Sequence, residues 1–348
     1  MRDRLSDSPA NTATVRDIAA RAGVSPASVS RALRDPNKVR PKTRIQVERA
    51  LDELEAGAIH TELKRATTIG CVFFNAAAGL RYSGYDSTIW AGIARAATTH
   101  GADVTLVNCE NTPPGISVTD VIRSKAIDAL VVRVDAESKQ VLGELAKLAV
   151  PVLVVARAHD LDTLGYVHVK SREASRDAVR HLIELGHSRI AFCRNFVADS
   201  DHKDRHNGYI DALQDHDLPR RPGYEITTAA DAEGGAAAIS RLMSLREPPT
   251  AVFFADPLPT VGAIRRCHEI GLHVPKDISI VGVDDENFRR SSHPVYTAVC
   301  QDAPAMAERA GRVLLDHVRH NPSGPPPRLT LDGYFEVNAS TGPAPRNQ

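Results

Sequence analysis

The sequence lacks the features that mark membrane proteins, disulfide-stabilised secreted domains and zinc modules. Its 348 residues contain no apolar stretch approaching the roughly eighteen residues that a transmembrane helix needs. The five cysteines are widely separated and none forms a Cys-x-x-Cys pair, so neither a disulfide framework nor a metal site is expected. The first residues include no apolar signal region, and we therefore expect a cytoplasmic protein that needs no cofactor.

The chain as a whole also lacks a net charge, since 43 Lys and Arg balance 43 Asp and Glu. One segment departs from this balance. Residues 16–49 contain nine Lys or Arg and three Asp or Glu, a net charge of +6. Because neutralisation of phosphates dominates affinity for nucleic acids, a cationic segment on a neutral chain indicates a polyanionic partner for that segment.

The same segment has the pattern of two short helices separated by a tight turn. Thr14 can cap the first helix with Asp17 completing a capping box, and Gly23 supplies the left-handed residue that ends it. Ser25 can cap a second helix that begins at Pro26. A plain helical hairpin has the same pattern, but the local charge favours a helix-turn-helix that binds DNA. The candidate DNA-contacting residues here are Thr14, Val15, Ser25, Pro26, Ala27, Ser28, Ser30, Arg31, Arg34, Lys42 and Arg44.

Within the second helix, Arg31 is the residue best suited to sequence readout, because a guanidinium can bind a guanine edge. Pro26 and Ala27 offer only apolar contacts, for example to a thymine methyl group. The serines and the remaining cations are expected to hold phosphates and to set the register on the duplex.

Beyond residue 66, apolar runs typical of strands alternate with helical patterns, beginning with Ile69–Phe74. Near-continuous apolar strands separated by helices predict parallel sheets covered on both faces. The pattern starts afresh at Tyr166–Val169, so we expect two α/β lobes in tandem with a ligand cleft between them.

Ligands of open parallel sheets bind outside the carboxyl ends of the strands. Polar side chains follow several of the predicted strands directly, and Arg205 begins a helix after another. The strand-end candidates for ligand binding are Arg133, Arg157, Lys170, Arg194, Asp256 and Asp284.

Three separated groups of motifs resemble the lactose/galactose repressor (LacI/GalR) family, in the family's order. The amino-terminal group comprises Val15-Arg-Asp-Ile-Ala19, Ala22-Gly-Val-Ser25 and Val39-Arg-Pro-Lys-Thr-Arg44. The later ones are Arg205-His-Asn-Gly-Tyr209 and Val274-Pro-Lys-Asp-Ile-Ser-Ile-Val-Gly-Val-Asp-Asp285. The resemblance implies an all-α helix-turn-helix headpiece followed by an α/β bilobed core like that of periplasmic binding proteins, with two parallel-sheet subdomains. It also implies a repressor whose operator affinity depends on a small-molecule effector, a sugar or sugar derivative, held between the lobes.

The domain boundaries expected on this basis are a disordered arm (1–13), the headpiece (14–57), a hinge (58–66), the bilobed effector-binding and dimerisation domain (67–343) and a tail (344–348). Lobe 1 is expected to comprise about 67–164 plus 300–321, and lobe 2 about 165–298 plus 328–341. In the family the chain crosses between the lobes three times. The helix Pro304–His320 should therefore return to the first lobe, and the strand near Tyr334–Val337 should belong to the second.

The resemblance also assigns effector contacts. The effector-contacting arginine of the family matches Arg205, the acidic partner of ligand hydroxyls matches Asp284, and the aromatic wall of the site matches Tyr85. A planar guanidinium and a bidentate carboxylate suit the recognition of neighbouring hydroxyls. The alternative is that Arg205 and Asp284 pair with each other as a structural ion pair.

Two positions depart from the family pattern in ways that bear on the effector. Asp256-Pro257 stands where Asn-Asp is usual, and Lys170 stands where an aspartate is common. Cations at several strand ends, together with Lys170, favour an anionic effector such as a sugar acid or a phosphorylated sugar.

The linker departs as well, because it lacks the Tyr-x-Pro-Asn stretch that is typical of the family. Ala58–Leu63 could still form a turn and a half of helix, and Leu63 is then the candidate for a minor-groove wedge. The alternative is a plain linker with Leu63 packed on the core.

One headpiece reads half a site, so a homodimer on a pseudo-palindromic operator is expected. The carboxyl-terminal residues contain no leucine heptads, which favours a dimer over a tetramer. A bilobed sugar receptor without a regulatory role would need a secretion signal, and it would not carry a helix-turn-helix. An enzyme is disfavoured because no catalytic motif is visible, and His181 and His187 are expected to be structural.

Overall fold

The computed structural model describes residues 14–35, 38–62, 66–74, 84–109, 116–134, 139–196, 200–321 and 323–345. The chain divides into two compact units, Met1–Ala66 and Thr67–Gln348. The predicted arm (1–13) and the predicted wedge residue Leu63 lie outside the described residues.

The first unit is a three-helix headpiece with α1 (Val15–Ala22), α2 (Pro26–Arg34) and α3 (Pro41–Glu62). Its caps confirm the sequence prediction. Thr14 and Asp17 form the capping box of α1, Gly23 ends that helix at φ +64°, and the Ser25 side chain caps α2. A small core holds the helices together, consisting of Ile18, Ala19, Ala22, Val29, Ala32, Val47 and Ala50.

Helix α3 continues without a break to Glu62 and passes through the boundary predicted at residue 57. After Pro41 this segment contains no proline, and Gly57 is its only glycine. A single glycine inside a helix costs about 1 kcal/mol relative to alanine, which neighbouring helix formers offset. The structure therefore shows no separate hinge helix between residues 58 and 62.

The second unit contains two lobes, each built on a six-stranded sheet. Its elements, in chain order, are β1 (Thr68–Phe73), α4 (Gly84–Thr99), β2 (Asp103–Leu106), α5 (Val118–Arg123), β3 (Ala129–Arg133), α6 (Lys139–Leu145), β4 (Val152–Val155), β5 (Gly165–Lys170), α7 (Arg172–Glu184), β6 (Ile190–Asn195), α8 (Ser200–Asp215), β7 (Glu225–Thr228), α9 (Ala232–Met243), β8 (Ala251–Phe254), α10 (Pro257–Glu269), β9 (Ser279–Asp284), a 3₁₀ helix (Phe288–Ser291), β10 (Thr297–Cys300), α11 (Ala303–His320), β11 (Arg328–Asp332) and β12 (Tyr334–Glu336).

The first sheet has the strand order β11-β5-β4-β3-β1-β2, and all its neighbours are parallel. The second sheet has the order β12-β10-β9-β8-β6-β7, and only the short edge strand β12 is antiparallel. Buried side chains pack on both faces of each sheet, as the near-continuous apolar strands predicted.

The predicted lobe boundaries need one correction. Strand β5 was assigned to the second lobe, and so was the segment that contains β11, but both strands belong to the first sheet. Sheet membership depends on pairing, Val154 with Tyr166 and Val167 with Leu329, and no local pattern in the sequence reports it. The predictions that α11 returns to the first lobe and that β12 joins the second are confirmed. The chain therefore passes between the lobes three times, after β5, after β10 and after β11.

The return of α11 depends on close packing against α4. A Cβ atom placed on Gly92 of α4 would lie 2.4 Å from the Cβ of Ala307 in α11. A Cβ placed on Gly311 of α11 would lie 2.7 Å from the Cβ of Ala96 in α4. The two glycines thus let the helices approach one another and fix α4, which carries the candidate site residue Tyr85, against the first lobe.

Among the described residues, no helix is both long and apolar enough to cross a membrane.

Candidate functional site

The exposed face of the headpiece is formed by α2 and the start of α3. Val29 is completely buried in the headpiece core, so the side chains on the opposite face of α2 point outward. Pro26, Ala27, Arg31 and Arg34 are exposed there, as the amphipathic pattern predicted, and Ser28 and Ser30 are half-buried. The face therefore presents small side chains and two guanidinium groups, a shape that can enter a major groove.

The cations of the headpiece differ in how far they are already paired. Glu53 holds Arg21 at 2.7 Å and Arg49 at 3.0 Å, and these two guanidinium groups lower the pKa of its carboxyl. Arg31 and Arg34 form no ion pair with a described carboxylate. The arginines of α2 thus keep their charge available for a polyanion, whereas Arg21 joins α1 to α3 through Glu53 and Arg49 pairs with Glu53 within α3.

The remaining predicted DNA contacts lie at helix ends or on α3. The side chains of Thr14 and Ser25 cap α1 and α2, accepting from the amides of Asp17 at 3.3 Å and Ser28 at 3.2 Å. Lys42 is exposed in the first turn of α3. Exposed Val15 and half-buried Arg44 complete the set, and Arg44 is 3.9 Å from Glu48. Helix N-termini favour anions, so phosphates can approach the starts of all three helices.

The second candidate site is a group of side chains between the lobes, which we call the cleft cluster (Tyr85, Asp86, Arg133, Asp201, Arg205, Asp285). The Arg133 guanidinium lies over the Tyr85 ring, 5.2 Å from its centroid, and donates to Asp86 at 2.9 Å. Asp86 is 1% exposed, so the carboxylate of this ion pair is shielded from water, while the Arg133 side chain is 22% exposed. The first lobe thus contributes an aromatic ring backed by a fixed cation.

The second lobe contributes Arg205 from α8. Its side chain is 4% exposed, donates to the carbonyl oxygen of Ala255 at 2.8 Å, and lies 3.8 Å from Asp201 one turn earlier. Burial and the carboxylates of Asp201 and Asp285 raise the pKa of the Tyr85 hydroxyl well above its ordinary value, with Arg133 and Arg205 opposing them. Charged side chains from both lobes therefore lie close enough to Tyr85 to change the pKa of its hydroxyl.

Asp256 lies beside this cluster, in a hydrogen-bonded group of its own. It precedes α10, but its side chain does not cap that helix. Its carboxylate instead accepts from His202 at 2.9 Å and from Asn195 at 3.3 Å. The departure from the family pattern at Asp256 is therefore accompanied by a histidine that can donate to the carboxylate.

Asp284 lies outside the cleft cluster, contrary to the sequence prediction. Its buried carboxylate accepts from the backbone amide of Phe288 at 2.8 Å and forms an ion pair with Arg289. Arg289 also donates to Glu336 in β12, at 2.9 and 2.8 Å. Among the described contacts Asp284 does not pair with Arg205, so the alternative of a structural ion pair between these two residues is wrong, while an effector contact of Asp284 stays a prediction.

The next residue, Asp285, is the one that comes close to Arg205 and Tyr85, and Gln301 donates to it at 2.6 Å. Asp284 is the last residue of β9, and Asp285 follows it directly. Successive side chains along an extended chain point in opposite directions, so the two aspartates do not face the same side. Sequence reasoning missed Asp285 for that reason. It also missed Asp201, although the spacing of Asp201 and Arg205 by four residues on one helix was a usable signal.

The other strand-end cations are spread over the rims of the sheets. Lys170 is exposed at the end of β5, while Arg157 and Arg194 are half-buried at the ends of β4 and β6. Within the cleft cluster, the charge of Arg133 is matched by Asp86 and that of Arg205 by Asp201.

A separate groove of about 440 Å³ lies on the outside of the second lobe, between α7 and β12. It is lined by charged residues of α7 together with Tyr334 and Phe335, and by no member of the cleft cluster. His181, at its edge, donates to or accepts from Thr341 at 2.9 Å, and His187 contacts Thr250 and Gly342. Both histidines thus hold the carboxyl-terminal segment, as a structural role predicts.

No group of three or more His, Cys, Asp or Glu in the described parts of the chain is placed to hold a metal ion.

Comparison with known proteins matches both units. Residues 14–55 match the model of the bacterial regulatory proteins of the lacI family, and residues 179–341 match a periplasmic binding protein-like domain. The repressor CytR of Escherichia coli K12 is 29% identical over 341 residues, covering 96% of this chain and 97% of CytR. Catabolite control protein A of Priestia megaterium is 27% identical over 311 residues, covering 88% of this chain and 92% of that protein.

The chain belongs to the LacI/GalR family of DNA-binding transcriptional regulators.

Solved structures of LacI/GalR proteins have the same fold. A LacI regulator from a Rhodococcus species superposes with a TM-score of 0.65 at 28% identity, covering 80% of this chain and 100% of that one. The lac repressor dimer bound to operator and the anti-inducer ONPF gives a TM-score of 0.69 at 24% identity, covering 95% and 100%. As a LacI/GalR member the chain is a regulator rather than an enzyme, and the alternative of a sugar receptor without a role in DNA binding is not favoured.

Proposed function

We propose that this chain is a cytoplasmic repressor that binds a pseudo-palindromic operator as a homodimer and changes its affinity when a neutral, polyhydroxylated effector enters the cleft cluster. The single observation that carries the proposal is the position of Tyr85 against the Arg133–Asp86 pair of its own lobe and within electrostatic range of the Arg205–Asp201 pair of the other lobe. A site assembled from both lobes binds most tightly when the lobes are closed. Its ligand therefore shifts the equilibrium towards the closed arrangement.

The balance of charge in the cleft supports a neutral effector over the anionic one suggested by the strand-end cations. Within the cleft cluster and the adjacent Asp256, four carboxyl groups (Asp86, Asp201, Asp256 and Asp285) accompany the two guanidinium groups of Arg133 and Arg205. A carboxylate or phosphate ligand would meet repulsion from the unmatched aspartates. Vicinal hydroxyls can donate to these aspartates and accept from the arginines, while the Tyr85 ring covers an apolar face of the sugar.

A thermal-shift panel of neutral sugars, sugar acids and sugar phosphates on the full chain tests this ligand class. The proposal predicts that a neutral sugar gives the largest increase in melting temperature, because a ligand that binds only the folded state stabilises it. Replacing Arg205 by lysine should abolish that increase, since lysine has no planar fork. The conservative control is Arg180→Lys, whose exposed side chain lies on α7 and pairs with Asp177, outside the cleft cluster. Stabilisation by acids or phosphates alone would contradict the proposal.

For DNA binding, we propose that Arg31 reads a guanine and that Arg34, Lys42 and Arg44 contact phosphates. This assignment is supported by the exposed position of Arg31 on α2 and by the absence of a described carboxylate paired with Arg31 or Arg34. The segment 58–66 is the proposed connection between headpiece and core, and Leu63 within it keeps its proposed role as a wedge. A Leu63→Ala variant should lose operator affinity far more than affinity for random DNA if that role holds.

A further inference from the structure

Helix α8 begins at Ser200 and carries two members of the cleft cluster near its start. Asp201 is the second residue of the helix, and Arg205 follows one turn later. The helix belongs to the second lobe, but it also contacts β5 of the first lobe. The position of its amino-terminal turn therefore determines how close Asp201 and Arg205 lie to Tyr85 on the first lobe.

Ser200 joins this turn of α8 to the first lobe. Its half-buried side chain donates to the carbonyl oxygen of Ala156 at 3.1 Å. Ala156 directly follows β4, which belongs to the first sheet, whereas α8 follows β6 of the second sheet. The hydrogen bond therefore spans the two lobes, and it does so one residue before Asp201.

The backbone of Ala156 adopts an uncommon conformation at this contact. Its φ angle is +60°, in the left-handed region that residues other than glycine seldom adopt. Its amide donates to the carbonyl oxygen of Val167 at 2.9 Å and continues the pairing of β4 with β5, while its carbonyl group accepts from the other lobe. Such a conformation persists where surrounding contacts hold it, and Ser200 provides one from the second lobe.

The three crossings between the lobes lie close together. On the third crossing, the amide of Gly333 donates to the carbonyl oxygen of Lys170, which ends β5 at the first crossing, at 2.9 Å. A Cβ atom placed on Gly333 would lie 3.2 Å from the carbonyl oxygen of Cys300, which ends β10 at the second crossing. Crossings gathered in this way form a compact hinge. A compact hinge permits rotation, so the angle between the lobes depends on contacts such as that of Ser200 with Ala156.

We propose that Ser200 is a positioning residue that holds the amino-terminal turn of α8 against Ala156 and thereby favours the closed arrangement of the lobes. This inference rests on the proposed function, in which lobe closure connects effector to operator. When the lobes rotate apart, the Ser200 hydroxyl and the Ala156 carbonyl exchange each other for water. The net gain of one such hydrogen bond corresponds to a factor of about two to ten in an equilibrium constant. The cleft cluster is then assembled in a larger fraction of molecules before the effector binds.

Single-molecule FRET on the full-length chain, without DNA or sugar, measures the ratio of closed to open molecules. Dyes are attached through unnatural amino acids at Lys147 and Arg246, two exposed residues that precede β4 in the first lobe and β8 in the second. Dilution with unlabelled chain keeps one labelled protomer in each molecule. Ser200→Ala should lower the ratio about twofold to tenfold, because the donor is lost. Ser200→Thr retains a hydroxyl and should retain the wild-type ratio.

The matched control is Ser244→Ala. Ser244 is an exposed serine of the second lobe whose hydroxyl donates to the carbonyl oxygen of Arg241 in the same lobe at 2.8 Å, so this variant should also keep the wild-type ratio. A Ser200→Ala protein with the FRET distribution of the wild type would overturn the proposal. A Ser200→Thr or Ser244→Ala protein that opens as far as Ser200→Ala would overturn it too. Because neither DNA nor sugar is present, failure here is separate from failure of operator or effector binding.

Discussion

At the scale of single residues, pairing decides which charged side chains can meet a partner molecule. Arg21 and Arg31 are both exposed arginines of the headpiece, but Glu53 holds only the first. Asp284 and Asp285 are adjacent, but Arg289 encloses only the first. Sequence analysis named Arg31 and Asp284 as candidates but neither Arg21 nor Asp285. The structure separates the members of each pair through the side chains of Glu53 and Arg289, whose positions no motif in the sequence reports.

Arg31 provides the first prediction at this scale. Arg31→Ala should lower discrimination at one base pair of each half-site by about 1–3 kcal/mol, because a bidentate contact to guanine is lost. Lys42→Ala serves as the control, since loss of a phosphate contact weakens binding to all sequences and reduces the salt slope. Fluorescence anisotropy with operator variants at several salt concentrations measures both effects. An Arg31→Ala protein with unchanged base preference would contradict the assignment.

The two adjacent aspartates give a second prediction. Asp284→Asn should lower the free energy of unfolding by about 3 kcal/mol, since it leaves the buried Arg289 incompletely paired. Asp285→Asn keeps an acceptor for Gln301 and should change stability much less, while weakening the effector by at least about tenfold. Urea unfolding and titration with the sugar found in the thermal-shift panel separate the two effects. If Asp284→Asn weakened effector binding and Asp285→Asn lowered the free energy of unfolding instead, the effector contact would be assigned to Asp284.

Glu336 gives a prediction of pH dependence. Hydrogen bonds from Arg289 and Asn338 lower the pKa of its carboxyl from 4.5 to about 2. Because the folded state binds this proton less tightly than the unfolded state, the stabilisation is present above pH 4.5 and is lost as pH falls towards 2. Glu336→Gln should therefore flatten the loss of stability in this acid range, measured by urea unfolding at successive pH values. An unchanged acid profile would show that the Arg289 contact does not shift this titration.

At the scale of helices and strands, the sequence predicts what depends on neighbours in the chain. The caps at Thr14, Gly23 and Ser25 were predicted at the correct residues, because capping is a contact between residues two to four positions apart. The sheet to which β5 and β11 belong was predicted wrongly, because sheet membership depends on strand pairing. Strand β11 pairs with β5 more than 150 residues earlier, and the pairing of β5 with β4 has no signature in the local sequence. The cleft cluster was predicted in part for the same reason: Arg133 and Arg205 were identified by position, whereas Asp285 required the fold.

The packing of α4 on α11 gives a prediction for an element. Gly92→Ala should lower the free energy of unfolding by about 1–3 kcal/mol, because the new methyl group would overlap Ala307 at the helix crossing. Gly143→Ala in α6 is the matched control, since a Cβ atom there meets nothing within 4 Å. That substitution should stabilise the chain by up to about 1 kcal/mol through helix propensity. Equal effects of the two substitutions in urea unfolding would contradict the close approach of α4 and α11.

At the scale of the whole molecule, the chain combines two units with different physical tasks. The headpiece carries a net positive charge on a neutral chain and exposes arginines on one helix. The bilobed unit gathers opposite charges from both lobes around Tyr85. An effector can change operator affinity only by its different affinities for the two arrangements of the lobes. The proposed repressor therefore requires that DNA and effector influence each other's binding by the same factor.

Operator binding by the full-length protein, measured with and without the stabilising sugar, tests this central claim most directly. A palindromic sequence is first selected from a random pool of duplexes and then titrated against random competitor by fluorescence anisotropy. The account predicts a clear preference for one palindrome, and a change in its dissociation constant of about 5–150-fold on adding the sugar. Equal affinity for the selected and random duplexes, or a sugar that leaves operator affinity unchanged, would contradict it.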